Sequence, residues 1–376
     1  MIAGEPSGDL HASNLVLELK RLSPGLEISG TGGEKMQRAG VKLIFGLRDL
    51  AVTGLFDVIK NLSKLKKIQQ KLLETIQTER IDLIILVDYP DFNLRFAKKA
   101  ARYGVPIIYY ISPQVWAWRK HRIKLIKKYV KKIFVIFKFE EELYRHEGID
   151  VEFIGHPLLD IVKPSHTRSE FFKTPLPRGE WPSAENRIVA LMPGSRKGLV
   201  KRHLPIMLEA ASIVHKRFPD VYFLISKTPA LSVALYREAI EATGLPITVV
   251  EDNAYNIINA SDIVLAISGT VTLETAILEK PMVIIYKLPL LEYIIAKPLL
   301  RLRNIGLVNI VAGREIVPEL IQSRATPKII AENLIDILTD KQKYGRIVND
   351  LAVVRSDLYP SGASKNAAIS ILKILG

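Results

Sequence analysis

Ile81-Asp82-Leu83-Ile84-Ile85-Leu86-Val87, followed at once by Asp88-Tyr89-Pro90-Asp91-Phe92-Asn93, is the stretch that decides the fold. From Leu83 to Val87 every residue is apolar, which is how a strand reads when both of its faces are buried. Sheets covered on both faces are parallel, with helices as crossovers. The same unit recurs in Val105-Pro-Ile-Ile-Tyr-Tyr110 and Ile133-Phe-Val-Ile-Phe137, set among Lys-rich stretches of helical pattern. A second series follows: Arg187-Ile-Val-Ala-Leu-Met192, Val221-Tyr-Phe-Leu-Ile225, Ile263-Val-Leu-Ala-Ile267 and Met282-Val-Ile-Ile-Tyr286. Between the two series, from 157 to 186, periodicity lapses and prolines 157, 164, 175, 177 and 182 punctuate the chain. The expected fold class is therefore α/β: two Rossmann-like, doubly wound domains facing a cleft, with ligands at the carboxyl ends of the strands. The expected division is an N-terminal domain at 1–156, a linker at 157–186, a C-terminal domain at 187–345, and a helical segment at 346–376. That last segment is expected to pack back on the first domain or on a partner.

The chain has 376 residues, enough for two ordinary cores. Fifty-three Lys and Arg against 39 Asp and Glu leave a net charge of +14, which favours anionic partners: nucleic acid, acidic lipid headgroups or phosphorylated substrates. With no cysteine, disulfides and thiolate metal sites are excluded. The most apolar stretch, Pro281 to Leu300, is interrupted by Lys287, Glu292 and Lys297, and so is not expected to span a membrane. No basic-then-apolar leader opens the chain, and a cytoplasmic protein that touches a membrane without crossing it is expected. Histidines 11, 121, 146, 156, 166, 203 and 215 lack the i, i+3 or i, i+4 pairing of a metal site, so neither metal nor cofactor is expected. Only His156, in Gly155-His156-Pro157, is placed near the cleft.

Four loops carry candidate chemistry. Ala3-Gly4-Glu5-Pro6-Ser7-Gly8-Asp9-Leu10 is a strand end running into a glycine-bearing loop and a helix expected to begin near Leu10. It reads equally well as a tight turn with Asp9 as helix N-cap, but Glu5 then has no capping role. Asp88 should emerge at the carboxyl edge of the sheet, where with Asp91 it makes an acidic corner fit for a general base toward a sugar hydroxyl. The plainer alternative is that Asp91 caps a helix and Asp88 braces the turn. In the second half, Gly194-Ser195-Arg196 and Ser268-Gly269-Thr270 both end a strand and open a helix. Such pairs hold a diphosphate through aligned amides, with Arg196 adding a charged fork. Glu274, one turn beyond Thr270, can accept from ribose hydroxyls, or is simply a solvated helix residue.

Two surfaces bear on partners. Leu55, Val58, Ile59, Leu62, Leu65, Ile68 and Leu72 recur at helical spacing, with Lys60, Lys64, Lys66, Lys67 and Lys71 between them. That suits a helix on an anionic interface, and an amphipathic helix on a globular core, the more frequent origin of such a stripe, produces it too. Arg119 to Lys132 adds a second basic run beside Trp116 and Trp118, without the features of an RNA site, so no nucleic acid is expected.

Taken in order, these blocks resemble the lipid-A-disaccharide synthases nearly end to end. The resemblance rests on Gly4-Glu5 through Asp9, Asp88 to Asn93, Ser112-Pro-Gln-Val-Trp-Ala-Trp-Arg119, Phe153-Ile-Gly-His156, Pro193 to Arg196, Ser268 to Thr270 with Glu274, and Asn309 with Ala312-Gly-Arg-Glu315. It implies a glycosyltransferase-B architecture and an inverting transfer, without a metal, of 2,3-diacylglucosamine from UDP to the 6-hydroxyl of 2,3-diacylglucosamine 1-phosphate. It further implies catalysis by Asp88 with Glu5, and nucleotide-sugar binding by Gly194, Ser195, Arg196, Ser268, Gly269, Thr270 and Glu274. Acceptor or cleft positions would be Ser7, Asp91, Asn93, His156 and Asn309. Peripheral association with the inner membrane is implied too, a homodimer is allowed, and acyl chains would lie along 55–72 and 288–302. Relatives carry several residues before Ala3-Gly4-Glu5, so a short first strand is expected; they have Glu where this chain has Leu199, and Ser-Leu-Pro where it has Gly306-Leu307-Val308. On the same architecture a UDP-sugar epimerase is the nearest alternative. A non-catalytic basic protein of membrane or RNA surfaces is the more distant one.

Overall fold

The computed structural model describes residues 1–50, 55–116, 122–174, 181, 183, 185–241, 243–289, 293 and 304–376, and for 55–62 the backbone alone. Outside the described residues lie Ala117 to His121 of the Trp-rich and basic runs, prolines 175, 177 and 182, and most of 290–302. The same holds for the side chains of Leu55, Val58, Ile59, Lys60 and Leu62. Two compact units divide the chain, Met1–Asp160 with Leu358–Gly376, and Ile161–Asp357.

The first unit is built on seven parallel strands: β1 (Ile2–Ala3), β2 (Ser29–Gly32), β3 (Lys42–Gly46), β4 (Ile84–Val87), β5 (Ile107–Tyr110), β6 (Lys132–Val135) and β7 (Val151–Phe153). Their spatial order is β3-β2-β1-β4-β5-β6-β7. The unbroken apolar run of β4 is explained by its place beside β1 and β5, with Leu86 facing Ile2 and Tyr109 in register. Alternate residues feed two separate cores. Leu86, Tyr109, Ile133 and Val135 pack with Ile68, Leu72, Phe96 and Ile126 of the helices Leu55–Thr78, Pro90–Ala100 and Arg122–Tyr129. Val87, Ile108, Tyr110 and Phe134 pack with Leu15, Val16, Ala367 and Ile371 of the helices Pro6–Leu22 and Ala363–Leu375.

The second unit has six parallel strands: β8 (Arg187–Met192), β9 (Val221–Ser226), β10 (Ile247–Val250), β11 (Ile263–Ile267), β12 (Met282–Tyr286) and β13 (Glu319–Ile321). Their order, β10-β9-β8-β11-β12-β13, repeats the first six positions of the first sheet. In each unit the winding direction reverses beside the first strand, between β1 and β4 and between β8 and β11. There the loops leaving the two strands diverge to opposite faces and open a crevice at their carboxyl ends.

The unit boundary falls after Asp160, within the stretch read from sequence as linker. Residues beyond it are anchored on the second unit: Asn256 Oδ1 accepts from the amides of Ser165 and His166, and Arg168 forks onto Asp262. A capping box of Thr167 and Glu170 starts the helix Arg168–Phe171. The segment 346–376 does not act as one piece. Helix Lys341–Asp357 belongs to the second unit, whereas Ala363–Leu375 lies along Pro6–Leu22 in the first. Its entry is fixed by the Asp160 carboxylate, which accepts from the Gly362 and Ala363 amides, and by Asn366, which donates to the Ile154 carbonyl. Among the described residues no helix is long and apolar enough to cross a membrane.

Candidate functional site

At the first crevice, β1 ends into Gly4-Glu5 and β4 ends into Asp88-Tyr89. The helix Pro6–Leu22 starts earlier than its sequence suggests, with Pro6 in its first turn, where a missing N–H costs nothing, and Glu5 as N-cap residue. Glu5 is exposed and its side chain makes no capping bond. Asp9 is not the N-cap of this helix: it is buried, and its carboxylate accepts from the amides of Gly33, Lys35 and Met36, capping the next helix, Glu34–Arg38.

Asp88 and Tyr89 both adopt left-handed backbone, φ 45° and 47°. Each costs a non-glycine residue about 1–3 kcal/mol and persists only where its surroundings over-determine it. Here they do. The Asn93 side-chain amide donates to the Asp88 carbonyl at 2.7 Å and reaches the Val87 and Ile2 carbonyls at 3.3 and 3.4 Å. Tyr109 O–H donates to the same Asp88 carbonyl at 2.6 Å. The Tyr89 ring covers Gly4 so closely that a Cβ there would lie 2.2 Å from it, and its hydroxyl donates to the Leu50 carbonyl. The result is a carboxyl that burial, and secondarily the charge of Glu5, lift to a pKa of about 6, against the weaker pull of the Tyr89 amide and Arg122. A base near neutrality is what general-base catalysis requires.

The other first-unit candidates separate into distinct roles. Asp91 is not the N-cap residue, a position Tyr89 takes; exposed in the first turn of Pro90–Ala100, it binds the buried guanidinium of Arg122 at 2.6 Å. Ser7 is exposed at the start of its helix. Asn93 is fully buried, so it serves the backbone of Asp88 rather than an open cleft. His156 is buried too; its Nδ1 accepts from the Leu158 amide, and burial followed by the neighbouring His11 pushes its pKa to about 3. The loop Ser112 to Trp116 is pinned to the helix Lys138–His146, by Ser112 Oγ and Tyr144 O–H at 2.7 Å and by Trp116 Nε1 donating to Glu140 at 2.8 Å. Glu140 is 1% exposed, and burial raises its carboxyl to about 8.

In the second unit all seven nucleotide-sugar candidates, Gly194, Ser195, Arg196, Ser268, Gly269, Thr270 and Glu274, line one cavity of about 650 Å³. Gly194 has φ 100°, and a Cβ there would meet Ile267 at 2.5 Å, so the loop after β8 closes on β11 only with glycine. Arg196 is the exposed N-cap residue of Lys197–Arg217, and Thr270 opens the helix Thr270–Ile277. Glu274 is half-buried; burial raises its pKa, and Tyr255 O–H donates to it at 3.5 Å. Leu199 also lines this cavity. Sequence reasoning missed Ser226 at the end of β9, Lys227 and Thr228 just beyond it, and Asp252, Asn253 and Tyr255 after β10, which also line the walls. Lys227 is buried and ion-paired with Glu251. The carboxyl end of β9 was the available signal.

Asn309 does not face this cavity. It is fully buried, its Oδ1 accepting from the Ile316 and Val317 amides and its Nδ2 donating to the Val317 carbonyl and Glu319. Glu319 in turn accepts from the Ile305 and Gly306 amides, and the Ile305 carbonyl accepts from Ser268 Oγ at 2.9 Å. Asn309 thus reaches the cavity only through a chain of three bonded groups.

Residues 1–369 match the family described as lipid-A-disaccharide synthetase. A lipid-A-disaccharide synthase of Geobacter metallireducens is 43% identical over 376 residues, all of this chain and 97% of that protein. One of Syntrophus aciditrophicus is 41% identical over the same span and shares. Among solved structures, the glycotransferase of kitacinnamycin superposes with a TM-score of 0.63 at 14% identity, covering 99% of this chain and 97% of that one. A UDP-GlcNAc 2-epimerase from Neisseria meningitidis gives 0.59 at 14% identity, covering 97% of both chains. These structural likenesses bear on the fold, which is of the two-domain glycosyltransferase-B type, and leave the choice of chemistry to the sequence relatives.

Proposed function

Because this chain belongs to the lipid-A-disaccharide synthase family of glycosyltransferases, we propose that it moves 2,3-diacylglucosamine from UDP to the 6-hydroxyl of 2,3-diacylglucosamine 1-phosphate. The observation that carries this reading is the Asp88 carboxyl, held beside Glu5 with its pKa at about 6. In the proposed step the acceptor 6-hydroxyl gives its proton to Asp88 while its oxygen bonds to the anomeric carbon. The bond from that carbon to UDP breaks, and the electron pair leaves with the diphosphate. One displacement inverts the anomeric centre. Glu5 holds an acceptor hydroxyl, and the cavity around Arg196, Ser268 and Thr270 takes the departing UDP, where amides and a guanidinium stabilise the growing charge. Glu274 receives the ribose hydroxyls.

The test is to mix the protein with UDP-2,3-diacylglucosamine and the monosaccharide 1-phosphate and look for a disaccharide and free UDP. An epimerase yields no disaccharide, and a mere binding protein leaves the donor intact. Asp88→Asn is expected to abolish turnover with UDP still bound; unchanged turnover removes Asp88 from the role of base.

The same reading places the protein at the cytoplasmic face of the inner membrane. Support comes from one side of the first sheet, where Lys66, Lys71, Lys98, Lys124 and Lys128 stand exposed on three helices that share a core. Ile68 and Leu72, expected from sequence along the lipid-facing and acyl-binding stripe, are buried in that core instead. Attraction to anionic headgroups, rather than insertion of this stripe, is therefore the proposed mode of contact.

A further inference from the structure

Tyr109 and Tyr110 stand next to each other on β5, both fully buried, and their hydroxyls leave on opposite faces of the sheet. Tyr110 O–H meets Ser364 Oγ at 3.2 Å, a contact between a strand and the helix that covers it. Tyr109 O–H goes somewhere less ordinary, to the main-chain carbonyl of Asp88 at 2.6 Å. The Asn93 amide meets the same oxygen at 2.7 Å. Two buried donors thus converge on one peptide oxygen, in the first of two consecutive left-handed residues. Burial and the Asp88 charge raise the Tyr109 pKa well above the ordinary phenol value, so its hydroxyl remains a donor throughout the working pH range.

We propose that Tyr109, together with Asn93, is a positioning residue for the transfer reaction: by gripping the Asp88 carbonyl it holds that peptide in its strained conformation and so keeps the catalytic carboxyl beside Glu5. This rests on the reading of Asp88 as general base. A left-handed aspartate without its restraints relaxes toward ordinary extended or right-handed backbone. A rotation of that kind moves the side chain by more than the ångström that productive proton transfer tolerates. Neither Tyr109 nor Asn93 touches substrate, since both are sealed from solvent.

The adjacent tyrosines supply a matched test. Tyr109→Phe and Tyr110→Phe each delete one buried hydroxyl and its hydrogen bonding, so losses of thermal stability of the same order are expected. Only Tyr109→Phe is expected to lower kcat, by roughly 10- to 100-fold on the scale of a misplaced catalytic group, with the KM for the UDP-sugar unchanged. Its acid limb of kcat/KM should also move to lower pH, because a carboxyl released from burial and from Glu5 returns toward the usual range. Normal kcat and an unmoved limb in Tyr109→Phe, or an equal fall of kcat in Tyr110→Phe, overturns the proposal. If Tyr109→Phe shows no cooperative melt, Asn93→Ser, which keeps a small hydroxyl donor, is read by the same two criteria. Asp88→Asn is assayed alongside. Should it retain turnover, the base assignment itself fails; should it be inactive while Tyr109→Phe is normal, only the positioning role falls.

Discussion

At the scale of single residues, the candidate base is made by its neighbour as well as by its burial. Glu5 adds a negative charge beside Asp88 and thereby favours the protonated form. Glu5→Gln removes that charge, so Asp88 ionises more easily and the acid limb of kcat/KM is expected to fall from about pH 6 toward the ordinary carboxylate range. A pH profile of the variant that superposes on the wild type shows that burial alone sets the value. Asp88 and Glu5 could be placed at a sheet edge from sequence because Asp88 directly follows the apolar run of β4 and Glu5 follows β1 with only Gly4 between, and strand ends are where sheet proteins place ligands. Asn93, Asn309 and Asp9 were misplaced for a common physical reason. A polar residue in a loop reads the same whether it faces a ligand or satisfies buried backbone groups, and only the folded chain shows that each is paired with main-chain amides or carbonyls.

At the scale of elements, the strands buried on both faces were readable almost to the residue: β11 and β12 coincide with the runs 263–267 and 282–286. Those missed are short or mixed, such as β2 reading Ser-Gly-Thr-Gly and the half-buried β7 and β10. Runs of two to four residues are too short to display a period. Missing β10 also hid the loop with Asp252, Asn253 and Tyr255. The Trp-rich loop teaches another lesson, for its described part is fastened to the helix Lys138–His146 by a carboxyl that folding keeps protonated. Glu140 has a folded pKa of about 8 against an ordinary 4.5, so the native chain retains a proton that the unfolded chain releases. Its contribution to stability is full below about pH 4.5 and is lost as pH rises through 8, at no more than roughly 1.4 kcal/mol per pH unit. Glu140→Gln keeps an acceptor for Trp116 without the titration. Denaturant unfolding between about pH 5 and 8 should therefore show a flatter stability profile in the variant, and parallel profiles would contradict the assignment.

At the scale of the whole molecule, the first unit holds the larger share of the net charge of +14, and its helices Leu55–Thr78, Pro90–Ala100 and Arg122–Tyr129 carry an excess of Lys and Arg. Each lysine near an anionic surface contributes about 1 kcal/mol, screened within roughly 10 Å at moderate salt. Co-sedimentation with phosphatidylserine-containing vesicles should weaken steeply as salt is raised. Lys124→Glu with Lys128→Glu should weaken it by at least about tenfold at low salt. Binding indifferent to both salt and substitution points to apolar docking instead. One further consequence comes from the return of residues 358–376 to the first unit. A ribosome finishes the strands of that sheet early, yet the helix that roofs Leu15, Val16 and Tyr110 is made only after the whole second unit. Until the second unit has been made, an oily flank of the nascent protein stays uncovered, and the opening domain must wait for its own closing stitch.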